Sequence, residues 1–447
     1  MSSKRKVEAA LSPLRRMGDP SVATAPRVLI VGSGLTGSLT CYHLRQRCGG
    51  KAVRIDVADM ARGAGGRMST TRWGADSIKA NTGAQYVSCC SPEATALLQA
   101  VCASNGAGEC LLDRVDDPVK RSTHFVLQPD EAYTHWLPRG GTNTVVKQFL
   151  LGGAPDHVVF ESRLQRLTEC EGQQQLFPQF DRGGTLSSSY DIIVLAMPPK
   201  DILRFFNNDN TRHDPQSQAD LHRRTNRGRS NTLPEYHRHI TLPPEVLRHL
   251  RAPQYNGRYS LNIWMQDDQF TSSLSAAWRA RQEPHPIIDM ISPQQGVLVV
   301  QSTVELWKCV EAGGGKRGGK GKGGKGKGGK GKGTGGKGKG TGGKRAAADS
   351  LAGIRGGGRD AARSHMVAAL EDLAGCKMPR AQNAKLLNWR TSQASPPLPA
   401  ESESVVTAGG GRLIFTGDWC VESSFEGCNL AAQAAATAAA NTISALE

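Results

Sequence analysis

The sequence is short of apolar residues and holds no run of about 18 of them, so it offers no membrane-spanning helix. Hydrophobic residues make up only 38% of its 447 positions, but the deficit is concentrated in a few polar stretches, leaving enough elsewhere for a normal core. Cysteine is present without organisation. The 11 residues are odd in number and scattered from Cys41 to Cys428, with no CxxC pair and no Cys/His spacing suited to zinc. That excludes a disulfide framework and leaves no metal site to predict. It implies reduced, buried thiols, with adjacent Cys89-Cys90 unsuited to a structural disulfide.

The first 26 residues lack the apolar segment of a secretory signal and read as a basic, disordered leader. A cytoplasmic location is expected; a plastid or mitochondrial transit peptide and a nuclear signal at Lys4-Arg5-Lys6 are the alternatives. The formal charge of +16 is local: residues 313–345 carry 12 Lys/Arg and no acid, which leaves +4 for everything else. This Gly/Lys tract has no aromatics to stack on bases and cannot bury a core. It can attract phosphates only through non-specific counterion release. A passive insertion is the expectation, and a nucleic-acid-associated protein acting through the tract is the alternative from another class. A second polar stretch, 207–232, is also expected to be a disordered insert.

What is present begins at Val28. Four apolar residues run into Gly32-Ser33-Gly34-Leu35-Thr36-Gly37, a plausible helix follows from Ser38 to Arg47, and AVRIDVAD gives a second strand. In such a β-α-β unit the first glycine permits the tight turn. The second lets backbone approach a diphosphate, and the third allows close packing of helix on sheet. The diphosphate sits on the helix N-terminus. Asp59, 25 residues past Gly34, is the candidate for a ribose hydroxyl, with Asp56 its rival.

Two further features separate one cofactor from another. Gly65-Gly66-Arg67-Met68 places an extra cation just beyond the ribose acid, where a charge-assisted donor suits the diphosphate of a longer flavin cofactor. Near the other end, the strand RLIFT runs into Gly417-Asp418, then Phe425-Glu426-Gly427 and an alanine-rich helix. The arrangement resembles that of flavoproteins, where it places an acid by the ribityl chain and a helix N-terminus near the pyrimidine end of the flavin. Elsewhere, helices are expected at 92–104 and 364–375, and a turn followed by a helix across 138–150. Strands are expected at AQYVS, VVFESRLQRLTEC, YDIIVLA, GRYSLNIWM and GVLVVQSTVELW.

VLIVGSGLTGS, ADMARGAGGRMSTTR, NTGAQYVS, DIIVLAMPP, NWRTSQ and FTGDWCVESSFEGC occur in the order found in renalase-like flavoproteins, of the wider FAD-dependent amine oxidase group. The resemblance spans roughly 27–206 and 240–445, and its GDWC segment is more similar to bacterial and plant-type relatives. It implies non-covalent FAD, held by the glycine loop (Gly32, Ser33, Gly34, Leu35, Thr36, Gly37) together with Gly66, Arg67, Met68, Gln85, Tyr86, Phe425 and Gly427. Asp59 would meet the adenosine ribose, Leu164 the adenine through its backbone, and Asp418 the ribityl and diphosphate region. Asn81, Thr391 and Ala431-Ala432 depart from the family pattern, which bears on the shape of the substrate pocket.

No triad or metal cluster offers itself for catalysis, so a flavin carries the difficult step. The resemblance implies oxidation of 2- and 6-dihydro isomers of NAD(P)H to NAD(P)+, with dioxygen reduced to hydrogen peroxide. Trp389, Arg390 and Tyr259 are the residues expected near flavin and substrate. An amine oxidase or carotenoid-desaturase-like enzyme is the rival on the same fold. The expected fold is α/β, a Rossmann-type FAD-binding domain of p-hydroxybenzoate hydroxylase-like topology with a mixed-sheet substrate domain. The FAD domain would take residues 27–91, 152–200 and 380–447, and the substrate domain 92–151 and 201–379.

Overall fold

The computed structural model describes residues 25–73, 78–104, 112–115, 134–170, 174–182, 186–206, 237–265, 267–281, 283–312, 358–379, 381, 383–395 and 404–447. Residues 1–24 of the leader and both expected inserts, 207–232 and 313–345, lie outside them. The α/β expectation holds: a mixed α/β structure is built on a Rossmann-type sheet. Six strands lie in the order Val406–Ala408, Leu413–Thr416, Ile192–Ala196, Arg27–Val31, Arg54–Ala58, His157–Val159. All neighbours are parallel except the first pair.

Parallel strands covered on both faces read as unbroken apolar runs, which is why VLIV and IIVLA became central. Val28 and Ile30 pack with the first helix, Leu35–Cys48, and with the C-terminal helix, Phe425–Leu446. Leu29 and Val31 point the other way, against Tyr190, Leu195 and Trp419. Val28, Leu29 and Ile30 have no exposed surface, and each such side chain contributes about 1.5–3 kcal/mol. The alanine repeat of the C-terminal helix keeps Ala432, Ala435, Ala436 and Ala439 small enough to lie flat in that core.

A second, antiparallel sheet has the order Ile288–Gln294, Val297–Ser302, Tyr255–Trp264, Asn383–Ala394. Its apolar face, with Tyr259, Leu261, Ile263 and Val300, is covered by the helices Asp268–Ala280, Val304–Ala312 and Gly358–Ala374. Its other face carries buried Arg258, Ser260, Asn262 and Gln301. A hairpin, Thr70–Trp73 with Ile78–Asn81, packs on this sheet through Trp73 and Ala80, which meet Val297 and Val299.

Three sequence expectations change. GVLVVQSTVELW is not strand throughout: Thr303 Oγ1 accepts from Leu306 N–H at 3.2 Å, capping a helix from Val304. The alternating run VVFESRLQRLTEC divides at Glu161, whose φ is 57°. His157–Val159 joins the parallel sheet, and Leu164–Cys170 pairs with Leu176–Phe180 elsewhere. Asn383–Ala394, grouped from sequence with the C-terminal FAD segment, pairs with Tyr255–Trp264 and so completes the antiparallel sheet. Among the described residues no helix is long and apolar enough to cross a membrane.

Candidate functional site

The candidate residues gather at the carboxyl ends of the parallel strands. Val31 runs into Gly32, Ala58 into Asp59, and Thr416 into Gly417-Asp418. The central strand has Arg54–Ala58 on one side and Ile192–Ala196 on the other, so chain connections diverge there. Doubly wound sheets bind ligands in the crevice outside such a switch point.

Each glycine of the first loop has a different reason to be there. Gly32 has φ +108°, and a Cβ on it would strike the Ala196 carbonyl oxygen. A Cβ on Gly37 would strike the carbonyl oxygen of Gly32. On Gly34 it would meet only the Gly66 Cα, at 4.0 Å. Packing therefore demands the first and third, while the second borders open space at the N-terminus of the first helix. Gly34 caps that helix with no side-chain hydrogen bond, leaving its first-turn N–H groups without a side-chain acceptor. Thr36 is buried in the same turn, and Leu35 packs partly buried against the core.

The structure separates the two rival acids. Asp59 accepts from Ser33 N–H at 2.6 Å and Ser33 Oγ at 2.7 Å, so it stands against the glycine loop at the sheet's edge. Asp56 is inside, with no exposed surface, and accepts from the Tyr190 hydroxyl at 2.7 Å. His157 at 3.0 Å and Arg54 at 3.4 Å complete its surroundings. Ser162 N–H donates to the Asp59 carbonyl at 2.9 Å, bringing the segment before Leu164 beside the same turn. The Leu164 side chain itself is core.

The second glycine loop docks on the first: Gly65 N–H donates to the Ser33 carbonyl at 3.1 Å. It carries Arg67 across to Asp418, 351 residues away in the chain. The guanidinium donates both ways, Nη1 to Oδ2 and Nη2 to Oδ1, each at 2.5 Å. Tyr255 donates its hydroxyl to Oδ1 at 2.7 Å, and Ser423 donates to Oδ2. The Arg67 guanidinium carbon also lies 5.5 Å from the Tyr255 ring centroid. Burial opposes the charged form of Asp418, but the Arg67 charge and the hydrogen bonds from Arg67, Ser423 and Tyr255 outweigh it, so the carboxyl stays below its usual range. Burial and the neighbouring carboxylate both push the Tyr255 phenol up, so it remains a donor.

Cys428 is buried nearby, its thiol pushed up to about 12 by burial and then by Asp418. Phe425 is core, and Gly427 N–H is used by the Ser424 hydroxyl at 2.9 Å as the helix cap. Met68 is likewise buried in the core under the loop.

The loop 81–85 forms the floor between the two sheets. Gln85 is buried, donating to the carbonyls of Asn81 at 2.7 Å and Gly83 at 2.9 Å, and accepting from Gln294. Trp389 Nε1 donates to the Thr82 carbonyl at 3.2 Å, as does Ser260 Oγ at 3.1 Å. Gln301 reaches the Gly83 carbonyl at 2.9 Å. Asn81 is a hub, its Oδ1 accepting from Thr142 N–H at 2.9 Å and Thr70 Oγ1 at 3.0 Å. Tyr86 sets its ring edge-on to His135, 5.0 Å between centroids.

The three proposed catalytic side chains do not converge. Trp389 lies on the sheet face that meets Thr82. Tyr259 lies on the opposite, helix-covered face, fully buried, with its hydroxyl donating to Glu311 at 2.7 Å. Arg390 is exposed. Tyr259 therefore faces away from Thr82 and Trp389, because alternate residues of a strand face opposite ways. Sequence reading missed Tyr255 and Ser423. Tyr255 belongs to no motif, and only its register opposite Ala394 delivers it to Asp418.

A family model described as "NAD(P)-binding Rossmann-like domain" matches residues 30–101. Among solved structures, cyclohexylamine oxidase from Brevibacterium oxydans IH-35A is similar at a TM-score of 0.51 and 12% identity, covering 93% of this chain and 99% of that one. The p-nitrophenol 4-monooxygenase PnpA from Pseudomonas putida DLL-E4 aligns at a TM-score of 0.42 and 11% identity, over 94% of this chain and 80% of that one. The first of these likenesses establishes a shared fold spanning nearly both chains.

Proposed function

We propose that this protein is an FAD-dependent oxidase acting on isomeric dihydronicotinamide dinucleotides, the 2- and 6-dihydro forms of NAD(P)H, and releasing NAD(P)+. The observation that carries the cofactor reading is the meeting of two glycine loops at the switch point, with open space at Gly34 and Asp59 held against Ser33. These residues fit a dinucleotide: uncapped N–H groups for a diphosphate, and an acid for a ribose. Arg67 adds a cation on the diphosphate side; Asp418, expected from sequence beside the ribityl chain, is buried and saturated by its own donors, so its part is to hold Arg67. The chemistry FAD would supply is acceptance of a hydride from substrate carbon, with dioxygen as the final acceptor and hydrogen peroxide the product.

The chain's own contribution is binding and orientation. Trp389, Ser260 and Gln301 pin the 82–83 carbonyls, setting the height of the floor between the sheets. The sheet face above it is polar, with Ser260, Asn262, Gln301 and Arg258. A small amine is the second reading, supported by the fold shared with cyclohexylamine oxidase. Anaerobic stopped-flow decides: the flavin absorption should bleach on mixing with dihydronicotinamide isomers and not with amines. Bleaching by amines alone would replace the substrate reading, and a colourless protein that takes up no FAD would sink the enzyme reading altogether.

A further inference from the structure

We propose that Tyr255 is a positioning residue for the Arg67–Asp418 pair of the cofactor site, its phenol fixing the carboxylate on which Arg67 docks. The proposal deepens the FAD reading and rests on it. A carboxylate offers about four lone-pair directions. On Asp418 four donors fill them: Arg67 Nη1 and Nη2, the Ser423 hydroxyl and the Tyr255 hydroxyl. Arg67 comes from the second glycine loop and Ser423 from the turn that carries Asp418 itself. Tyr255 alone among these donors comes from the antiparallel sheet. The neighbouring strand reaches the same carboxylate at one remove, since Ala394 N–H donates to Ser423 Oγ at 2.8 Å and Tyr255 pairs with Ala394 in register. The Ser392 carbonyl accepts from Arg67 Nη1 at 3.4 Å.

Two strands of the antiparallel sheet therefore hold the acid on which Arg67 docks. Rotation of the Asp418 carboxylate about its terminal torsion is broad in energy unless donors hold it. With both oxygens saturated, the carboxylate holds the Arg67 guanidinium in one fixed orientation beside the glycine loops, and the relative placement of the two sheets is set at the same group. Without the phenol, Oδ1 keeps a single Arg67 bond and the orientation loosens. The ring of Tyr255 would still lie beside Arg67, so Tyr255→Phe removes the hydrogen bond while keeping the packing and the cation–π contact.

The test is FAD affinity of the full chain, stripped of flavin and titrated by fluorescence quenching. Tyr255→Phe should raise the FAD Kd about tenfold, because Arg67 loses its fixed orientation and binding must then order it. Tyr190→Phe is the control: it removes a comparable buried phenol bond, to Asp56, and should lower the melting temperature while leaving the FAD Kd unchanged. In an Asp418→Asn background the Tyr255→Phe step should cost less than about twofold, because the shared partner has changed. A Tyr255→Phe Kd within twofold of wild type overturns the proposal, and so does a tenfold loss that persists in the Asp418→Asn background. If the wild-type chain binds no FAD, the cofactor reading falls and carries this proposal with it; wild-type binding with an unaltered Tyr255→Phe removes the proposal alone.

Discussion

Two carboxylates three residues apart, Asp56 and Asp59, stand in opposite surroundings because a strand ends between them. Asp56 is fully buried among Tyr190, His157 and Arg54, whereas Asp59 stands at the loop edge against Ser33. Asp56→Asn should cost about 3 kcal/mol of stability, since partners built around a buried charge are left mismatched. It should leave FAD affinity unchanged. Asp59→Ala should do the reverse, weakening FAD binding at least tenfold with little change in melting temperature. Thermal melts and flavin titrations on the two variants read both outcomes. The candidate catalytic residues divide in the same way. Tyr259→Phe should lower stability by about 1 kcal/mol through its lost bond to Glu311 and leave the rate of flavin reduction intact. Trp389→Phe gives up the bond to the Thr82 carbonyl and should slow flavin reduction several-fold. Single-turnover kinetics beside denaturant melts would expose a wrong assignment of either.

At the scale of elements, the glycine loop was legible from spacing alone, but which glycine serves ligand and which serves packing was not. Gly34→Ala should fold and melt within about 1 kcal/mol of wild type while losing FAD affinity, because its Cβ enters the open space at the helix N-terminus. Gly32→Ala should fail to fold or melt far lower, since φ +108° and the Ala196 carbonyl both oppose a side chain. Equal behaviour of the two variants would refute this division. Strand and helix boundaries misled where local pattern was ambiguous. The apolar stretch through Val299 and Val300 ends where Thr303 turns to cap a helix, a side-chain hydrogen bond that hydrophobic periodicity does not register. The run from Val158 to Cys170 alternates like one strand, yet Glu161 breaks it with a left-handed backbone, and its halves join different sheets.

At the scale of the whole molecule, acid sensitivity should come from His285. Its Nδ1 accepts from the N–H groups of Ile287 and Ile288, both at 3.1 Å, and burial together with nearby Arg281 pushes its pKa down to about 4. The unfolded chain then binds a proton that the folded chain refuses, so stability present above pH 6.5 is lost as pH falls from 6.5 toward 4, by up to about 3 kcal/mol. His285→Asn, whose amide oxygen can accept without titrating, should flatten that limb in pH-dependent melts. Deleting 313–345 should abolish salt-sensitive RNA binding while sparing turnover; lost turnover would show that the Gly/Lys tract is no passive insert. The sequence by itself determined the doubly wound sheet and the dinucleotide-type loop, because both are written in short-range pattern: unbroken apolar runs, fixed glycine spacing, and an acid just past the second strand. Only the tertiary structure decided which acid lies outside, on which face Tyr259 falls, and that Arg67, Tyr255 and Ser423 close on Asp418. Those depend on contacts between segments hundreds of residues apart, and a one-residue slip of the strand Tyr255–Trp264 would by itself turn Tyr255 and Tyr259 to the opposite face.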